Sequence, residues 1–176
     1  RVVSIEAARQ RMAANINPPP VITSEPILRL PPMTKSLCGL LLVCFAVQLL
    51  LPDDMANRLV IEGGFIPARY SGDFTFEPAA IWSPLTHALL HGGWLHIALN
   101  TGMLMAFGAG LEKQRGARSI LLIFIGSILC GAAAQFIVAP HSLSPMIGAS
   151  GGISGLFGAA LMEMAWRATG PAPLWA

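Results

Sequence analysis

Charge is scarce in this chain of 176 residues: Asp, Glu, Lys and Arg together make up 11% of it, where about a quarter is usual in a soluble domain. Set against 54% hydrophobic residues, that is too little charge to cover a water-soluble globule, and the composition reads as a membrane protein. A basic stripe is missing as well. The eleven Lys and Arg are spread along the chain and the formal net charge is +2, which argues against a nucleic-acid partner. No CxxC spacing occurs. Cys38, Cys44 and Cys130 stand singly in apolar runs, as small buried hydrophobes rather than metal ligands or a redox pair. No secretory signal opens the chain. Residues 1–34 instead form a polar, Pro-rich tail, "NINPPPVITSEPILRLPPMT" at its end, expected to be disordered or extended. The start at Arg1 and the stop at "RATGPAPLWA", just after an apolar run, lead us to expect a fragment of a longer protein.

What is present in quantity is apolar sequence. A bilayer span needs about 20 mostly apolar residues, and four stretches approach or meet that: about 36–51, 93–111, 119–139 and 146–166. Helices satisfy their own backbone in lipid, so spans joined by links as short as "EKQRGAR" and "PHSLSP" predict a packed all-α polytopic bundle over residues 35–170. Nine of the eleven basic residues fall before the first span, after the second or at the end, and only Arg58 and Arg69 fall in the alternate links. The positive-inside rule then sets the N-terminus in the cytoplasm. Link 52–92 faces outward, and its Phe65, Ile66, Phe74, Phe76, Ile81 and Trp82 suit an interfacial loop.

Among the polar groups in these runs, three stand out. His96 and Asn100, four apart, share one face of the second span, and polar groups within a bilayer are costly enough to mark function by default. The plainer alternative is a hydrogen bond that glues helices and a satisfied core histidine. The third group is Ser150, in "MIGASGGISGLFGAALM". If its helix begins near 146, Ser150 lies about one turn into it, roughly 7–10 Å below the outer surface at about 1.5 Å per residue. Asn100 lies at a similar depth. Gly148, Gly151, Gly152 and Gly155 around the serine form small-xxx-small patterns that pack helices without chemistry. They also leave room for a ligand backbone, and a helix N-terminus offers free N–H groups to an oxyanion. His87 and His91 have the i, i+4 spacing of a zinc helix but lack the glutamate of HExxH; no metal site is expected, and both are assigned to the loop-to-helix junction through hydrogen bonds.

Together, "GGFIPARY" (63–70), "LTHALLHGGWLHIALNTGMLMAFGAGLEKQRG" (85–116) and "MIGASGGISGLFGA" (146–159) resemble the rhomboid family of intramembrane serine proteases. The resemblance covers about 100 residues in the family's order and implies a rhomboid-like transmembrane helix bundle, with four spans present and later ones missing. It implies that Ser150, in Gly148-Ala149-Ser150-Gly151, is the nucleophile rather than Ser154, and that His96 and Asn100 form the oxyanion hole with the Ser150 N–H. It requires no metal or organic cofactor. The implied partners are transmembrane protein substrates, cut near the outer face of the bilayer, and the implied location is a bacterial plasma membrane. Trp82-Ser83 departs from the family's usual Trp-Arg. The family's base is a histidine two helices after the serine helix, which this resemblance puts beyond residue 176; as written, the chain is expected to be inert alone. His141, nine residues before Ser150, has no precedent as a substitute. The alternative on the same scaffold is a non-catalytic client binder, as in rhomboid-like pseudoproteases and derlins.

Overall fold

The computed structural model describes residues 30–170 except 73, 74 and 76. The expected tail therefore lies, up to residue 29, outside the described residues, as do Phe74 and Phe76. Among the described residues the protein is helical, with no strand and one isolated bridge between Phe65 and Met146.

Helix α1, Pro32–Leu50, begins at a proline, where the missing N–H would have no helical partner anyway. It stops because Leu51, before Pro52, is pushed to an extended conformation (φ −77°, ψ 145°). The N–H groups left open at its start are taken by Glu112. This carboxylate, 6% exposed, accepts from Met33 N at 2.8 Å and from Thr34 N and Thr34 Oγ1, each at 2.7 Å. A negative charge at a helix N-terminus also opposes the macrodipole, so one acidic residue pins the start of α1 to a segment some eighty positions away.

Link 52–92 is largely helical. Helix α2 runs Asp53–Gly63, with Asp53 and Asp54 in its first turn, a 3-10 turn follows at Pro67–Tyr70, and α3 runs Ala79–Thr86 into a second turn at His87–Leu89. Tyr70 ties these pieces together: its hydroxyl donates to Ala80 O at 2.8 Å and lies 3.0 Å from Ser83 Oγ. Ser83 is fully buried, so the position after Trp82 has room for a hydroxyl and none for a long basic side chain.

Helix α4 is Trp94–Val138, broken at Gly116, whose φ of 80° and ψ of 163° are non-helical and readily reached only by glycine. Straight, it would extend about 67 Å at 1.5 Å per residue. Helix α5, Ser150–Thr169, shows that it does not. His96 abuts Gly148, Phe107 packs on Phe157 at 4.8 Å, and Arg115 bonds Glu163 at 2.7 Å, so the first arm of α4 runs parallel to α5. In the second arm Gly131 and Ile128 face Gly151, and Ile123 and Ser127 face Gly155. That arm runs antiparallel, and α4 is a hairpin closed at Gly116.

Leu41 and Phe45 of α1, Leu104, Leu111, Ile120 and Phe124 of α4, and Ile153 and Leu156 of α5 form the buried core. Outside it, apolar side chains face outward: Leu50 is 85% exposed, Val138 82% and Ile137 77%. Apolar surface on that scale is a liability in water and is what lipid requires. Pro32–Leu50 and Trp94–Val138 are long and apolar enough to cross a membrane; the sequence spans 93–111 and 119–139 fall on the two arms of the latter. Segment 146–166 is not among them. Its helix starts at Ser150, not at 146, and carries Glu163 and Arg167; Glu163 pairs with both Arg167 and Arg115.

Candidate active site around Ser150

Ser150 is the first residue of α5, so it sits at the helix start rather than a full turn inside. The chain arrives there through a fixed path. Phe65 and Met146 exchange two backbone hydrogen bonds, Phe65 N to Met146 O at 3.0 Å and Met146 N to Phe65 O at 2.8 Å. Ala68 N donates to Ser142 O at 3.1 Å, and Gly148 N donates to His87 O at 2.8 Å. The segment after α2 thus holds the approach to Ser150 from one side and the turn after α3 holds it from the other.

Gly148 has φ +115°, in the region that favours glycine. A Cβ built there would stand 2.6 Å from His96 Nε2 and 2.8 Å from its Cε1. The imidazole therefore lies against the backbone two residues before Ser150. His96 Nδ1 accepts from Gly92 N at 3.3 Å; in the neutral ring the proton is then on Nε2, the nitrogen facing Gly148. Asn100, 5% exposed, donates from Nδ2 to His96 O at 2.8 Å, fixing its amide one turn along the same face.

The two serines of the motif differ. Ser154 Oγ donates to Ser150 O at 2.8 Å, the back-bond typical of a helical serine. The Ser150 hydroxyl is exposed and makes no hydrogen bond among the described residues; it is the uncommitted one, beside first-turn N–H groups that have no intrahelical acceptor. No hydrogen bond joins it to His96 or Asn100 among the described residues. The glycines also divide in function. Gly148 makes room for His96, whereas Gly151 approaches Gly131, and Cβ atoms at Gly152 and Gly155 would collide with Phe124 and with Ser127. The last three bring α4 and α5 together.

His87 and His91 do brace the junction, differently from each other. The His87 ring bonds Ser83 O at 3.0 Å and its carbonyl holds Gly148; burial pushes its pKa below the usual histidine value, against the Ser83 carbonyl. His91 is held through its backbone by Gln48, which donates to His91 O at 2.9 Å and accepts from His91 N at 3.2 Å. Its ring, 1% exposed, meets the His96 ring edge-on at 5.0 Å and has no hydrogen bond at either nitrogen among the described residues. Burial first and the neighbouring His96 second lower its pKa. Among the described residues no group of three His, Cys, Asp or Glu could hold a metal ion. Sequence reasoning missed Gln48 and the Glu112 clamp; a lone glutamine in an apolar run and a glutamate at the head of the charged link "EKQRGAR" were the only signals for them.

The family model described as the Rhomboid domain matches residues 78–175, more than half of the chain. The chain is 39% identical over 80 residues to the rhomboid protease GluP of Bacillus subtilis, which covers 46% of this chain and 15% of that protein. It is 34% identical over 86 residues to the putative rhomboid protease YdcA of the same organism, covering 49% of this chain and 43% of the other. Against human rhomboid-related protein 3 it is 29% identical over 107 residues, 59% of this chain and 26% of that one. The chain thus spans less than half the length of each of these relatives.

Proposed function

Since the chain belongs to the rhomboid family, we propose that its protein is an intramembrane serine endopeptidase with Ser150 as nucleophile, acting on transmembrane protein substrates. The observation that carries this reading is the junction at Gly148: a histidine with Nε2–H turned toward the backbone, next to an exposed serine whose hydroxyl is uncommitted at a helix start. In the proposed reaction Ser150 Oγ attacks the scissile carbonyl while its proton passes to a general base. The negative charge that develops on the carbonyl oxygen is met by the Ser150 N–H, His96 Nε2–H and the Asn100 amide. The C–N bond then breaks, the amine leaves with the base's proton, and water releases the acyl group by the reverse path. Following the family pattern, the base is a histidine contributed from beyond residue 176.

Four crossings are part of the same proposal: α1, the two arms of α4, and α5, with the N-terminus cytoplasmic and the Ser150 end of α5 toward the outer face of a bacterial plasma membrane. The distribution of basic residues supports that orientation. Full-length protein reconstituted with a single-span reporter tests the activity. Ser150→Ala should abolish cleavage with the fold intact, and Asn100→Ala should lower turnover about 10²–10³-fold, as loss of one oxyanion donor does. Cleavage by Ser150→Ala at the wild-type rate overturns the assignment. Binding of the reporter without cleavage by the unaltered protein would favour the client-binding alternative.

A further inference from the structure

An apolar cavity of about 350 Å³ lies between α1, α2 and α3, away from the Ser150 site. Val43 and Val47 of α1, Leu59 of α2, Trp82 of α3 and Leu90 line it, and Glu62 stands at its rim. Its size falls within the roughly 300–1,000 Å³ of small-ligand sites. Val43 and Val47 are 62% and 50% exposed, so the cavity opens on the surroundings of α1. Helix α1 is long and apolar enough to cross a membrane, and where it lies in a bilayer an acyl chain can reach that opening. The rim, however, is acidic. Glu62 is exposed and forms no ion pair among the described residues. Asp53 and Asp54 lie at the other end of the same helix with Arg58 between, and Arg69, which bonds Ile61 O at 2.8 Å beside Glu62, is paired with Glu77. Trp82 Nε1 donates to Glu62 O at 3.0 Å, which keeps the end of α2 over the cavity.

We propose that this cavity holds one acyl chain of a phospholipid whose headgroup carries a primary ammonium, with that ammonium at Glu62. An anionic headgroup at this rim would meet the Glu62 carboxylate, among the described residues the one charged side chain that lines the cavity. A primary ammonium can donate a charge-assisted hydrogen bond to the Glu62 carboxylate, and a quaternary one cannot. The site rests on α1 lying in a bilayer and asks nothing of Ser150, so it stands or falls separately from the protease reading.

The test uses the full-length protein in nanodiscs of phosphatidylethanolamine and phosphatidylglycerol, doped with a phosphatidylethanolamine bearing a diazirine in its acyl chain; labelled residues are mapped by mass spectrometry. Labelling should concentrate on Val47, Leu59 and Leu90, several-fold above the exposed Leu122 and Ile137 of α4. Val47→Trp, which fills the cavity from α1, and Leu59→Trp, which fills it from α2, should each remove the excess and leave Leu122 labelled, with helix content unchanged. Glu62→Gln should lower labelling by the ethanolamine probe and not by its choline counterpart. Labelling of the cavity equal to that of Leu122 means ordinary boundary lipid and overturns the proposal. So does labelling that survives both tryptophans, or an ethanolamine preference that survives Glu62→Gln.

Discussion

Replacing Gly148 with Ala strikes the site at its closest approach. The new Cβ would lie 2.6 Å from His96 Nε2, against the ~3.5–4.0 Å of an ordinary heavy-atom contact, so the ring must retreat by about 1 Å. Its freedom to do so is limited, because Nδ1 is held by Gly92 N and the His91 ring lies behind it at 5.0 Å. The φ of +115° adds strain, about 1–2 kcal/mol for a residue with a side chain. A misplacement of about 1 Å at a reacting centre costs on the order of 10² in rate. Gly148→Ala should therefore lower kcat about 10²-fold with KM little changed, and lower Tm by about 2–8 °C. The assay is reporter cleavage by the full-length protein, beside thermal unfolding. The control is Gly158→Ala, where a Cβ meets nothing within 4 Å and a helical Gly→Ala change gains about 0.5–1 kcal/mol. An unaltered kcat in Gly148→Ala would refute the placement of His96 as an oxyanion donor.

Three further outcomes follow from the same contacts. Glu112→Ala removes the shared acceptor of two backbone N–H groups and the Thr34 hydroxyl; leaving buried donors unsatisfied costs about 1–3 kcal/mol, and thermal unfolding should show a drop of about 2–12 °C. Gly155→Ala drives a methyl into the Ser127 side chain, an overpacking cost of about 1–3 kcal/mol, and the double variant with Ser127→Gly should recover most of it in the same assay. The pH dependence of stability follows from His87 and His91, whose folded pKa values are held below the ordinary 6.5. The unfolded chain takes up protons first as pH falls, so stability is full above about 6.5 and declines below it. Unfolding measured across pH 5–8 should show this acid limb, and His91→Phe should make it shallower.

Helix ends are legible in the sequence where apolar length meets a breaker. Pro52 ends α1, and "EKQRGAR" holds the Gly116 turn between two apolar arms. The start of α5 was not legible, because "MIGA" is as apolar as the helix it precedes, and only tertiary bonds from Phe65 and His87 keep Met146 and Gly148 out of helical geometry. Link 52–92 read as a loop because α2 and α3 are short, with Pro52, Pro67 and Pro78 between the elements and Pro84 inside α3. His96, Asn100 and Ser150 were legible as candidates from their cost in an apolar setting. The Gly148–His96 contact was not, since it depends on how the hairpin of α4 brings its first turn beside α5.

The most direct test of Ser150 is reaction of the folded, full-length protein with a fluorophosphonate probe, followed by peptide mapping, with Ser150→Ala alongside. Covalent labelling of Ser150 is expected, with none of Ser154, whose hydroxyl is bonded to its own helix, and none in the variant. A folded protein that leaves Ser150 unlabelled would contradict it.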